Sequence, residues 1–276
     1  MTRSRGLAAI VAVLWVSVAV PGTALAIGSP RVAAVQVALR ARHLYTGTID
    51  GWQGRQTKAA LAALERRTGQ AANDLAGPNL GDRPLVLGAI GGDVVQLQFL
   101  LAWHGFPNGT IDGEFGEHTQ TALIRFQRWA GLPPVGFAGP NTVAALRAPV
   151  PTCPVALAWP LRVKVGDVFG PRGTGFHPGI DLPAATGTPV RAAEVGRVTF
   201  AGPTVGGYGN LVIVKSAGGV ATMYAHLSRI LAYEGETVTV GSLLGLVGAS
   251  GETTGPHLHF EVRIRGAAVD PLPALR

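Results

Sequence analysis

"GPHLHFEV", residues 255–262, alternates polar and apolar side chains with a period of two. Successive side chains of a β-strand point to opposite faces. Leu258, Phe260, Val262 and Ile264 therefore share one face, and His257, His259, Glu261 and Arg263 the other. The apolar row reads as a core face. A row of two imidazoles, a carboxylate and a guanidinium on the opposite face points to a strand that carries chemistry as well as packing. Glu261 suits either of two partners there: a histidine N–H or the Arg263 guanidinium.

The surrounding sequence has the same texture from Trp159 onward. Short β-branched runs such as "GRVTF", "NLVIVK", "ETVTV" and "HLHFEVRI" alternate with glycine turns, and residues 215–220 read as a hairpin connection. The expectation is a compact antiparallel all-β domain. Three of its motifs carry histidine. "FHPGID" places His177 and Asp181 four apart, and Pro178 with Gly179 excludes a helix between them, so a turn into a strand at Ile180 is expected. "MYAHLS" puts His226 at the end of a strand, with Tyr224 on its face if the strand is regular. The opening "HLH" supplies His257 and His259.

Four histidines and an aspartate gathered in three short motifs point to a metal site, since imidazole nitrogen and carboxylate oxygen both suit zinc. Three protein ligands with a fourth position open is the catalytic arrangement. Neither cysteine ligation nor an HExxH helix is available. His43, His104 and His118 lie outside this cluster.

The first half of the chain is a tandem repeat. "TGTIDGWQGRQTKAALAALERRTG" (46–69) aligns without gaps on "NGTIDGEFGEHTQTALIRFQRWAG" (108–131) at an offset of 62 residues, which also pairs Gln36 with Gln98 and Leu39 with Leu101. Each unit predicts a first helix (32–42; 94–104), a turn at Asp50-Gly51 or Asp112-Gly113, and a second helix with Thr57 or Thr119 as N-cap. Leu123, Phe126 and Trp129 recur three apart as a buried stripe, and a last short helix is expected over 141–147. Trp52, Trp103, Phe115, Phe126 and Trp129 are read as core. The whole is expected to be multidomain: two small all-α, three-helix repeats followed by an antiparallel all-β domain.

The "DGxxGxxT…FQ" pattern resembles the small helical peptidoglycan-binding domain of bacterial cell-wall enzymes over residues 30–148, most closely in the second copy. "FHPGID", "YAHL" and "GPHLHFEVR", in that order, resemble the LytM/lysostaphin-type zinc metallopeptidases that cut peptidoglycan peptides, over residues 158–274. The resemblance implies one Zn2+ held by His177, Asp181 and His259, with His226 and His257 as catalytic imidazoles beside it. Some members place a tyrosine six residues before the first ligand, and here that position is Pro171. Relatives that have lost ligands activate other wall hydrolases instead. All five residues are present here.

The domain expectation is a leader over 1–26, repeats over 27–88 and 89–148, a linker over 149–157 and the metallopeptidase domain over 158–276. "MTRSRGLAAIVAVLWVSVAVPGTALA" has Arg3 and Arg5, an apolar run and a small-x-small end, the pattern of a cleaved secretory signal peptide. An exported protein of the cell wall or periplasm is expected, acting on peptidoglycan as a monomer without stable membrane insertion. Without the leader, 21 basic residues face 16 acidic ones, a net charge of +5 with no basic run, which argues against nucleic acid as a partner. Cys153, the single cysteine, permits no internal disulfide.

Overall fold

The structure, a computed structural model, describes residues 26–276; the expected leader lies outside them apart from Ala26. Among the described residues six helices come first: α1 (Pro30–Ala41), α2 (Arg55–Thr68), α3 (Ala72–Leu75), α4 (Gly92–Trp103), α5 (Glu117–Trp129) and α6 (Pro140–Leu146). Pro30 opens α1 at a position that needs no N–H, and Ser29 caps it by accepting a hydrogen bond from the Val32 amide. The expected caps of the second helices are wrong. Gly54 and Gly116 occupy those positions, and Thr57 and Thr119 sit in the first turn, buried.

The threonines are drawn inward by a polar knot that recurs in both repeats. Gln98 Nε2 donates to Asp112 Oδ1 (2.9 Å), the Glu114 carbonyl (3.1 Å) and Thr119 Oγ1 (3.2 Å), while its Oε1 accepts from the Asp112 and Gly113 amides. Gln36 makes the same contacts to Asp50, Trp52, Thr57 and Gly51. A buried amide must satisfy all its donors and acceptors, so this knot specifies the path of each Asp-Gly turn. Around it pack Phe99, Phe115, Phe126 and Leu101, all buried. Trp103 is buried as expected and Trp129 partly so, whereas Trp52 is half exposed, 51%.

Apart from two 3-10 turns, the regular structure of the second half is all strand, joined by loops. Its strands are β1 (Gly170–Arg172), β2 (Gly175–His177), β3 (Ile180–Pro183), β4 (Pro189–Arg191), β5 (Gly196–Pro203) and β6 (Asn210–Lys215). There follow β7 (Val220–Ala225), β8 (Arg229–Ile230), β9 (Thr237–Val238), β10 (Leu243–Leu246), β11 (His257–Ile264) and β12 (Ala267–Val269). All strand pairings are antiparallel. The main sheet runs β12-β11-β7-β6-β5-β9, with β3 also paired to β11; β4-β10-β8 form a second sheet and β1-β2 a hairpin. One core joins the two sheets, including Val190, Leu244, Val212, Tyr224, Leu258 and Phe260.

Residues 149–157 have no regular structure but are not loose. Val150 packs on the helical core, Cys153 and Val155 pack on the β core, and Leu157 bridges to Leu275. Burial pushes the pKa of the Cys153 thiol up, which favours the protonated form.

Gln98→Ala leaves the Gly113 amide and the Thr119 hydroxyl without their partner, and should destabilise the protein by about 2 kcal/mol. A urea unfolding midpoint shifted downward at unchanged slope is the expected reading.

Candidate metal centre

Strand register builds the centre. On β11, His259 lies opposite Asp181 of β3, and cross-strand neighbours share a face, so the two side chains meet: His259 Nδ1 is 2.9 Å from Asp181 Oδ1. His177, the last residue of β2, enters from the side, its Nε2 3.2 Å from the same Oδ1 and 3.1 Å from His259 Nδ1. The turn at Pro178-Gly179 makes this possible. A side chain on Gly179 would meet the Phe260 carbonyl at 2.4 Å and the His259 ring at 3.1 Å.

His226 reaches the centre by a different route. A regular continuation of β7 would turn it with Tyr224 into the core, where Tyr224 is fully buried and its hydroxyl is bonded to the Ala193 amide and to Thr222. Instead β7 ends at Ala225 and His226 adopts a left-handed backbone, φ 61°, which swings the ring to the opposite face. The shared face expected for Tyr224 and His226 is therefore not observed. The His226 ring centroid lies 4.8 Å from that of His257, whose Nε2 is 3.5 Å from Asp181 Oδ1. All five sequence-predicted residues thus converge, in an open cleft of about 730 Å³. Every lining residue comes from the β domain.

Each imidazole is held at one nitrogen. His177 Nδ1 lies 3.0 Å from the Val168 carbonyl, His226 Nδ1 2.8 Å from that of Ser250 and His257 Nδ1 2.9 Å from that of Gly255. A carbonyl only accepts, so these three rings donate from Nδ1 and turn Nε2 inward. His259 is held the other way round: its Nε2 donates to Glu261 Oε1 at 3.0 Å, leaving Nδ1 for the centre. Both roles foreseen for Glu261 are realised at once. It is completely buried and also accepts from Arg263 Nε (2.7 Å) and the Tyr208 hydroxyl (2.6 Å).

Burial opposes charge on all these groups, and their partners outweigh it. The Asp181 carboxyl is pulled well below the usual range by the hydrogen bonds and charge of His177 and His259. Glu261 falls to about 2, held by His259 and Arg263, and His259 rises to about 9 through Asp181 and Glu261. His226 goes the other way, lowered by burial and by the neighbouring imidazoles, and is neutral near pH 7.

His177 Nε2, Asp181 Oδ1 and His259 Nδ1 form a triangle with sides of 2.9–3.2 Å. A tetrahedral zinc with bonds of roughly 2.0–2.2 Å sets its donors about 3.3–3.6 Å apart, so this donor set fits such an ion with little adjustment. Tyr208, Arg172 and Glu252 also line the cleft and were not singled out from sequence. Tyr208 sits in "GGYGN", a glycine-rich loop whose only signal was one aromatic residue between turn formers.

Comparison with known proteins agrees with this geometry. Residues 175–271 match the model of peptidase family M23 and residues 90–146 that of a "Putative peptidoglycan binding domain", so the chain carries a domain of each kind. It is 52% identical over 97 residues to the DD-carboxypeptidase/endopeptidase Mpg of Neisseria meningitidis, covering 35% of this chain and 22% of that protein. It is 38% identical over 114 residues to the murein hydrolase activator NlpD of Escherichia coli, covering 41% of this chain and 30% of that one. The chain thus spans about a fifth to a third of the length of these relatives. Among solved structures, the catalytic domain of lysostaphin from Staphylococcus simulans matches at 34% identity and a TM-score of 0.39, covering 40% of this chain and 90% of that one. The two domain matches and the curated relatives support a cell-wall peptidase or activator role. Among the described residues, no helix is long and apolar enough to cross a membrane.

The His259–Glu261 pair makes stability in the presence of a chelator depend on pH in both directions. Glu261, depressed to about 2, contributes above its ordinary 4.5 and loses that contribution as pH falls through 2. His259, raised to about 9, contributes below its ordinary 6.5 and loses that contribution as pH rises through 9. Glu261→Gln should flatten both limbs and cost about 3 kcal/mol, because Arg263 then lacks its buried partner. Denaturant midpoints measured across that pH range check both statements.

Proposed function

We propose that the chain is an exported, zinc-dependent peptidoglycan endopeptidase. In this reading His177, Asp181 and His259 hold one zinc ion, and His226 and His257 are the catalytic imidazoles. The leader over 1–26, the repeats over 27–88 and 89–148, the connection over 149–157 and the peptidase domain over 158–276 are its parts, and it works as a monomer. The observation that carries the proposal is the convergence of three ligand atoms on one point, with two further Nε2 atoms turned towards it by backbone carbonyls.

Zinc, when bound, polarises a carbonyl and lowers the pKa of a coordinated water towards about 7. The protein supplies the rest. His226 is neutral near pH 7 and accepts a proton at Nε2. An imidazole that has received the proton presents an N–H at Nε2, the donor that a developing oxyanion or a departing amine needs. Hydrogen bonds to Ser250 and Gly255 keep either ring from turning away while this happens. The open cleft suits an extended peptide, and no residue of the repeats lines it.

The second reading is a non-catalytic activator of other wall hydrolases, favoured by the likeness to NlpD. Insoluble peptidoglycan separates the two. The zinc-loaded chain without its leader should release new amino termini, identified by fragment mass, and a chelator should stop the release. His226→Ala and His257→Ala should each slow it by about 10²–10⁴. A zinc-loaded protein that binds wall and releases nothing from it refutes the endopeptidase.

A further inference from the structure

The two repeats grip the peptidase domain at equivalent points. Ile49 and Ile111 occupy the same place in the two copies of "TIDG". The Ile49 amide donates to the Gly173 carbonyl at 2.9 Å, and the Ile111 amide to the Thr174 carbonyl at 2.7 Å. These are consecutive carbonyls at the tip of the β1–β2 hairpin, so one hairpin tip satisfies the same turn of both repeats.

Aromatic packing extends the grip towards the metal centre. Phe176 and His177 are neighbours on β2 and point to opposite faces. His177 enters the centre; Phe176 meets the Trp103 ring edge-on at 5.3 Å. Trp103 also packs on Phe169 at 6.2 Å, and Phe169 on Phe176 at 5.0 Å. Phe169 follows Val168, whose carbonyl orients the His177 ring. Both the ligand and the group that aims it are therefore one residue away from an aromatic seated on Trp103.

A second contact serves the other ligand strand. Trp129 Nε1 donates to the Ile264 carbonyl at 3.1 Å, and the Ala268 amide to the Gly105 carbonyl at 3.1 Å. A Cβ on Gly105 would lie 2.2 Å from the Ala268 carbonyl oxygen, so the approach leaves no room for a side chain. Ile264 ends β11, the strand of His257 and His259.

We propose that the tandem repeats form a clamp that positions the metal ligands, with Trp103 and Phe176 as positioning residues for His177. This rests on the reading of His177 as a ligand. It gives the repeats a role in metal affinity that is separate from wall binding, and it places the seam between them against the chain's own hairpin.

The test uses the full chain without its leader, measuring zinc affinity by competition with a chromophoric chelator and amide hydrogen exchange at Ile49 and Ile111. Phe176→Ala removes the hairpin side of the packing and leaves the core of the repeats intact. It should weaken zinc binding by about tenfold or more, the usual scale for groups that orient a ligand, and expose both amides. Trp103→Phe, which keeps a ring against Phe176, should bind zinc more tightly than Trp103→Ala. Should Trp103→Ala fail to fold, Phe176→Ala decides alone. A folded Phe176→Ala protein with the parent's zinc affinity overturns the clamp, whether or not the amides are exposed. If the parent itself binds no zinc, the proposed function fails, and the exchange data still decide the clamp: amides equally protected in parent and variant would refute it.

Discussion

A carboxylate with no exposure to solvent sits at the centre of this molecule. Glu261 is removed from water on a strand whose other face is core, a position that disfavours charge. It stays charged because three donors converge on it: the Arg263 guanidinium, the Tyr208 hydroxyl and the His259 N–H. The arrangement is costly if incomplete, since loss of any one donor leaves buried charge or an unpaired polar group. Its effect is to determine which nitrogen of His259 faces Asp181 and His177. The candidate metal centre and the Tyr208 side chain both meet at this carboxylate.

The same principle organises the helical half, where each knot is centred on a buried, uncharged glutamine amide. Gln36 and Gln98 each close an Asp-Gly turn from inside, and each turn then offers the following domain an identical backbone N–H. Repetition in sequence thus becomes repetition in how a single hairpin is held. Buried aromatics and backbone hydrogen bonds, and not the connecting segment alone, join the repeats to the β domain. The cleft itself is lined by residues of the β domain.

Much of the site was legible because period-two alternation is a local property. The two faces of β11, the Glu261 partners and the turn between His177 and Asp181 follow from spacing within a few residues, and the helical repeats from self-similarity at an offset of 62. Features set by distant partners were not legible. Thr57 and Thr119 look like caps from their position before an apolar stripe, yet glutamines far upstream draw them into the first turn. The Tyr208 hydroxyl is bonded to Glu261 and Arg263, more than fifty residues away. Trp52 reads as core among its aromatic equivalents, but is half exposed.

By itself the sequence determined the fold class, the duplicated helical unit and the five side chains that gather, because hydrophobic period and turn chemistry act over short stretches of chain. Tertiary structure alone decided how those side chains are aimed. His226 is the clearest instance: its motif places it at a strand end, where regular geometry would bury it with Tyr224. Only the left-handed backbone at φ 61°, held by the Tyr208 carbonyl on its amide and the Ser250 carbonyl on its ring, turns it towards the candidate metal centre. Such a conformation is unfavourable for an isolated histidine and persists because bonds from remote loops outweigh its cost.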